Sequence, residues 1–319
     1  MSKYFLGVDT SNYTTSLSLV KDGKISADIR RVLPVEQGKK GLRQSDAVFL
    51  HTKALPCLSK ELFTKIPEAA NNISAVGVSV RPRDAQGSYM PCFLSGLNYA
   101  TAVSDALNIP LYEFSHQSGH IQSAVYSSGA DEGFFEKGKF LSFHVSGGTT
   151  EALITEFDNF NYSCQIIGGT NDASCGQIID RFGVLLGLEF PCGKALDELS
   201  RSSTKALPKC VNCKDGYFSM SGLENKVQKF LSDGEKPCDV AHFLFISIAE
   251  ALKKSTLQLR EKYGNLPVLY AGGVMSNTII RQELSKIDNT YFAQVSLSSD
   301  NACGIALLTS KKLSGKVKI

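Results

Sequence analysis

The stretch YFLGVDTSNYTTSLSLV, Tyr4 to Val20, decides the fold class. It reads as strand, polar tip, strand: Tyr4 to Val8 is apolar, Asp9 to Thr15 is small and polar, and Ser16 to Val20 alternates. Asp22-Gly23 then turns the chain into a further strand from Ile25. The same grammar returns near residue 140, where FLSFHV (Phe140 to Val145) is an apolar strand, Ser146-Gly147-Gly148-Thr149-Thr150 a polar tip, and Ala152 to Phe157 a second strand. An echo of this kind predicts a duplicated α/β fold in which each half opens with a hairpin whose tip faces a nucleotide-sized cleft. Tips rich in Ser, Thr and Gly suit phosphates, because glycine lets the backbone approach closely and hydroxyls donate without bulk. Either tip alone is an ordinary turn.

Outward from these hairpins, apolar periodicity predicts helices over about Ser45–Phe63 and Pro91–Ala106, with strands at Ile73–Val80 and Leu111–Phe114. The second half carries helices near Ser174–Leu186, Lys194–Arg201, Ser221–Phe230 and Val240–Lys262. Val268-Leu269-Tyr270 is a short strand, Ala271-Gly272-Gly273 a tight turn, and Asn277 opens a helix. Strand, glycine turn and helix in this order fit a phosphate or adenosine site, and equally any strand-to-helix turn.

Composition is that of an ordinary globular chain: 319 residues, 43% hydrophobic, 20% charged, long enough for two domains. No segment approaches the roughly 18 uninterrupted apolar residues of a membrane span. The start MSKYFLGVDTS turns polar after one short apolar run, so no signal peptide is predicted and a cytoplasmic location is expected. Nine cysteines fit reduced thiols in such a compartment. The pair Cys210/Cys213 has no second Cys or His pair at zinc-finger spacing, which leaves loop thiols and a structural metal both open. A net charge of +3 neither demands nor excludes RNA; Arg30-Arg31, Lys39-Lys40-Arg43 and Lys311, Lys312, Lys316, Lys318 are basic clusters that fit phosphate contact or solvated surface.

Five histidines occur, and two stand four apart in SHQSGH, Ser115 to His120, directly after an apolar strand. With Ser115 as N-cap of a helix, His116 and His120 share one face, one turn apart, as two imidazoles on a single metal do. Asp300, ahead of a final apolar helix, offers a carboxylate for a third ligand, or an N-cap. Gln117, Ser118 and Gly119 lie between the histidines, where a zinc protease carries a glutamate as general base. A metal here would position or polarise substrate rather than activate water.

Taken in order, GVDTSNYTTSLSL, HQSGH, HVSGGTTEAL, IIDRFGVLLGLEFPCGKALDEL, FSMSGL, LYAGGVMSN and SDNACGIAL resemble the tRNA threonylcarbamoyladenosine synthase family, the TsaD-type proteins formerly labelled O-sialoglycoprotein endopeptidases. The resemblance runs from about residue 4 to residue 308. It implies an actin-like, sugar-kinase-like duplicated fold, read as subdomains 1–114 and 115–319 with a last helix at about 300–313 that packs back on the N-terminal half. It also implies threonylcarbamoyl-adenylate or an adenine nucleotide (ATP, ADP or AMP) in the cleft and one divalent metal ion, iron or zinc. His116, His120 and Asp300 match the metal ligands. Val145, Ser146, Gly147 and Gly148 match the phosphate-side loop, and Asp180, Gly193, Asp197 and Asn277 match positions that hold adenosine. The implied reaction is transfer of the threonylcarbamoyl group to the N6 amine of the adenosine next to the anticodon in tRNA. A related dimerising subunit and a small ATPase are the implied partners, with no membrane. No catalytic residue is assigned.

Four places depart from the family pattern. The acidic pair of its first tip (S-C-D-E-T) is replaced in Ser11-Asn12-Tyr13-Thr14-Thr15 by Tyr13 and Thr14. Ser79-Val80-Arg81-Pro82-Arg83 stands where A-x-G-P-G is usual, and Arg81 or Arg83 either meets an anionic ligand or is solvated. Thr149 replaces a histidine, and Gln177 a glutamate. A second reading therefore stands beside the first: a divergent paralogue that binds nucleotide and metal as a non-catalytic partner, or a carbamoyl transferase for another acceptor.

Overall fold

The computed structural model describes residues 3–11, 13–34, 42–131, 133–208 and 211–316. Asn12, Lys39, Lys40, Cys210, Lys318 and the Lys316 side chain lie outside the described residues. The chain forms two compact units, one of Met1–Tyr126, Phe157–Ser163 and Ser299–Ile319, the other of Ser127–Glu156 and Cys164–Ser298.

The first unit holds β1 (Tyr4–Asp9), β2 (Thr14–Lys21), β3 (Lys24–Val32), α1 (Gln44–Lys65), β4 (Ile73–Arg81), α2 (Phe93–Leu107), β5 (Leu111–Ser115) and α3 (His116–Ser127). Its sheet runs β3-β2-β1-β4-β5, with β1 antiparallel to β2 and parallel to β4. Every residue of β1 is buried, as a central strand covered on both faces requires. Tyr4, Leu6 and Val8 enter one core with Leu55, Leu58 and Leu62 of α1 and Ala100 of α2. Gly7, on the opposite face by the period of two, lies against the last helix of the chain.

The second unit holds β6 (Phe140–Val145), most of β7 (Thr150–Asp158) and of β8 (Asn161–Thr170), whose shared turn Phe157–Ser163 groups with the first unit, and α4 (Cys175–Leu185), α5 (Gly193–Ser200), β9 (Cys213–Lys214), β10 (Tyr217–Phe218), α6 (Ser221–Ser232), α7 (Pro237–Tyr263), β11 (Val268–Ala271), α8 (Thr278–Leu284) and β12 (Thr290–Phe292). Its sheet order is β12-β11-β6-β7-β8-β10-β9. Here β6 is antiparallel to β7 and parallel to β11, and β11 is parallel to β12, just as β4 is to β5. The run β8-β7-β6-β11-β12 thus repeats β3-β2-β1-β4-β5, with β10 and β9 added beyond β8. This is the duplication that the two hairpins predicted. Val240, Leu244, Ile248, Leu252 and Leu259 of α7 follow helical spacing and pack with Phe143, Phe218 and Tyr270. Each such burial contributes about 1.5–3 kcal/mol.

The last helix, α9 (Cys303–Lys316), packs on β1, β2 and β4. A Cβ at Gly7 would overlap the Ala302 carbonyl oxygen, and one at Gly77 the Thr309 hydroxyl, so the sheet backbone itself is the floor for this helix. The observed units therefore differ from a single division after residue 114. The difference lies at α3: β5 runs into it with no intervening loop, which keeps α3 with the first unit.

The predicted helices recur within a few residues of their expected ends. Four strands have no counterpart in the sequence reading: β8, whose NYSCQIIGGT lacks alternation, and the two- or three-residue β9, β10 and β12. No helix among the described residues is long and apolar enough to cross a membrane.

Candidate metal centre and nucleotide-binding loops

In the first unit, SHQSGH is the junction of β5 and α3. Ser115 Oγ accepts the Ser118 amide at 3.2 Å, the N-cap contact, and starts the helix immediately after the strand. His116 and His120 then share a face, with ring centroids 4.3 Å apart. Gly119 decides what that face meets. A Cβ at Gly304 of α9 would overlap the Gly119 carbonyl oxygen, and one at Gly119 would press on Ile305, so the two helices cross nearly backbone to backbone.

The crossing delivers Asp300. Its Oδ1 lies 3.2 Å from His120 Nε2 and 3.5 Å from His116 Nε2. The segment carrying it is pinned on either side: the Ala302 amide donates to Ser16 Oγ at 2.8 Å, and Ser123 Oγ donates to Asn301 Oδ1 at 2.9 Å. The N-cap alternative for Asp300 fails, since Asn301 Oδ1 accepts the Cys303 amide at 3.0 Å while Asp300 turns to the histidines.

One atom from each of His116, His120 and Asp300 lies within 4.8 Å of the others, and this is the one such group found among the described residues. Two ligands about 2.1 Å from one tetrahedral ion stand roughly 3.4 Å apart, close to the two distances from Asp300 Oδ1. Charge fits as well. Burial alone would lower His116, but Asp9 and Asp300 outweigh it and raise it to about 10, while the histidines hold Asp300 well below the carboxylate range against its own burial. The same negative charge, Asp300 among the three donors and Asp9 behind His116, would favour a divalent cation there.

Sequence reasoning passed over Asp9, placing it in the polar tip. It is the last residue of β1, wholly buried, with its carboxylate 3.1 Å from His116 Nδ1. An acid flush with the end of an apolar strand was the available signal. Arg81 does not reach out for an anion: its Nε donates to Asp84 at 2.7 Å. Asp84 also accepts from Ser115 Oγ, Ser118 Oγ and Asn161 Nδ2, so this departure from the glycine pattern braces the start of α3.

In the second unit, Ser146 to Thr149 form a closed turn, the Ser146 amide donating to the Thr149 carbonyl at 2.8 Å. Ser174 Oγ donates to the Gly147 carbonyl at 2.7 Å and accepts the Gln177 amide, and Gln177 Oε1 completes a capping box at the start of α4. Gln177 thus does the capping that a glutamate would. A Cβ at Gly147, Gly148 or Gly193 would meet nothing within 4 Å, so these glycines leave backbone approachable. Gly272, with φ +103°, packs against the Val145 carbonyl and sets the β11 turn beside this loop.

Asp180 accepts the Cys192 amide on Oδ1 at 2.9 Å, next to Gly193, and its other oxygen takes no hydrogen bond among the described residues. Asp197 and Asn277 are spent on each other. Asn277 Nδ2 donates to Asp197 Oδ1 at 2.6 Å, Asn277 Oδ1 caps α8 at the Ile280 amide, and the Thr278 amide and hydroxyl also donate to Asp197. These two side chains brace α5 and α8. The Cys213 thiol lies 3.3 Å from Gln258 Oε1, and no disulfide links the described cysteines.

The family model described as tRNA N6-adenosine threonylcarbamoyltransferase matches residues 37–307. The chain belongs to that family. A threonylcarbamoyltransferase of Kosmotoga olearia is 28% identical, over 96% of this chain and 92% of its own length. One from Carboxydothermus hydrogenoformans is 29% identical, over 99% and 94%. Among solved structures, HypF of T. kodakarensis superposes with a TM-score of 0.62 at 13% identity, over 99% of this chain and 48% of that one. The ADPNP-bound activator of the 2-hydroxyisocaproyl-CoA dehydratase from Clostridium difficile gives 0.54 at 16% identity, over 100% and 98%. These likenesses establish the fold, which is the duplicated actin-like, sugar-kinase-like α/β fold. The match begins after the first hairpin.

Proposed function

We propose that the protein transfers the threonylcarbamoyl group from threonylcarbamoyl-adenylate to the N6 amine of the adenosine next to the anticodon in tRNA. One divalent ion, iron or zinc, is held by His116, His120 and Asp300. The observation that carries this reading is the meeting of those three donors, from α3 and the lead of α9, in a chain of this transferase family. A cytoplasmic setting, a related dimerising subunit and a small ATPase belong to the same proposal.

When bound, the metal supplies positive charge where negative charge develops on the transferred carbonyl group. The chain supplies the rest. Backbone N–H groups of the turn over Ser146, Gly147 and Gly148 hold the phosphate side, and the open oxygen of Asp180 accepts a ribose hydroxyl proton beside Gly193. Asp197 and Asn277 keep the α8 terminus in place. Attack of the adenosine amine on the carbonyl carbon forms the new C–N bond and breaks the bond from that carbon to the phosphate oxygen; AMP leaves with the electron pair, and the proton lost by the amine passes to the departing phosphate or to water.

A second reading draws on the first hairpin. Thr14 is a buried strand residue paired with Val32, and Asp9 is already engaged by His116, Ser11 and Ser79, so the tip presents no free carboxylate among the described residues. Such a protein would bind nucleotide and metal yet act as a non-catalytic partner or on another acceptor. Purified protein given threonylcarbamoyl-adenylate, tRNA and the partner proteins separates the two. The first reading expects the modified nucleoside by mass spectrometry of digested tRNA. Retained nucleotide and metal binding with no product would leave the second.

A further inference from the structure

We propose that Asp9 is the positioning residue of the metal centre, fixing which nitrogen of His116 faces the ion. This rests on the metal reading above. Which ring nitrogen of a ligating histidine meets the metal is decided by what the other nitrogen bonds. Asp9 Oδ2 and Oδ1 lie 3.1 and 3.3 Å from His116 Nδ1. A carboxylate only accepts, so Nδ1 keeps a proton facing Asp9, and when an ion replaces the proton on Nε2 it is the Nε2 lone pair that would face it, on the side of Asp300 and His120.

The carboxylate is itself locked. Ser11 Oγ donates to Oδ2 at 2.7 Å, and Ser79 Oγ, on the parallel neighbour β4, donates to Oδ1. Asp9 is 0% exposed, and burying a carboxylate costs free energy unless it is paired and hydrogen-bonded. The sequence therefore keeps an acid at the end of β1 with each oxygen engaged, and its one cationic contact is the outer nitrogen of a metal ligand. This acid, two residues before Ser11 at the strand end, supports the ligand from behind.

The test is zinc titration of the full chain against a competing chelator, with the imidazole 15N resonances recorded in parallel. Asp9→Asn keeps shape, but its amide can donate to Nδ1 and push the proton to Nε2, the wrong tautomer for ligation. Zinc affinity should fall about 10- to 100-fold, with the His116 resonances shifting to the other tautomer. Ser79→Ala, which unlocks Asp9 without touching the ring, should cost about fivefold, the worth of one hydrogen bond. Asp84→Asn is the structural control: it loosens α3 without touching His116 and should lower the melting temperature while leaving zinc affinity within about twofold. If the native protein binds zinc and Asp9→Asn and Ser79→Ala bind it equally well with the tautomer unchanged, the positioning role is wrong and the metal centre stands. If the native protein binds none, both fall together.

Discussion

Gly304→Ala is expected to destabilise the protein and to weaken metal binding at least tenfold, although alanine is the better helix former. Propensity alone favours the substitution within α9 by about 1 kcal/mol. The new Cβ, however, would overlap the Gly119 carbonyl oxygen, a backbone atom with no rotamer to escape into. Overpacking of this kind costs about 1–3 kcal/mol, so sterics should win and the net effect should be a lower melting temperature. The loss of metal follows from place. Gly304 is four residues past Asp300, and Gly119 immediately precedes His120, so helices forced apart at this crossing carry two of the three ligands away from each other. Thermal melts with zinc titration check it; a variant that melts higher and binds metal as before would mean that the crossing does not set the site.

Asp197→Ala should strongly destabilise the second unit. It removes the acceptor for Asn277 Nδ2 and for the amide and hydroxyl of Thr278, all around a carboxylate that is 7% exposed. An unsatisfied buried donor costs about 1–3 kcal/mol, and neighbours are not additive, so a total of about 2–5 kcal/mol is expected. The Arg201 pair adds little, since the arginine is more than half exposed. Urea midpoint and AMP affinity should fall together in this variant, and in smaller proportion in Asp197→Asn. If Asp197→Asn instead abolished AMP binding at native stability, Asp197 would be a direct ligand contact and not a brace.

Much of this molecule is legible along the chain because its signals are local. The two hairpins, the helix spans and the i, i+4 histidines all follow from periodicity and turn residues within a few positions. The rest depends on contacts that no local pattern encodes. Asp9 looks like a tip residue until β4 brings Ser79 beside it and α3 brings His116. Gly119 reads as a weak helix residue until α9 lies across it. Asp197 and Asn277 lie far apart in sequence, and only the fold sets them within hydrogen-bond reach of each other. Strand β8 carries Gly168 and Gly169 because the Gly216 and Thr150 backbones press against them, which hides its strand pattern.

The most direct measurement is metal content by elemental analysis after anaerobic purification, comparing the native protein with His116→Ala and Asp300→Ala. The metal centre predicts about one iron or zinc per chain in the native protein and essentially none in either variant. A native protein without metal, or variants that keep it, would contradict the assignment of these three residues.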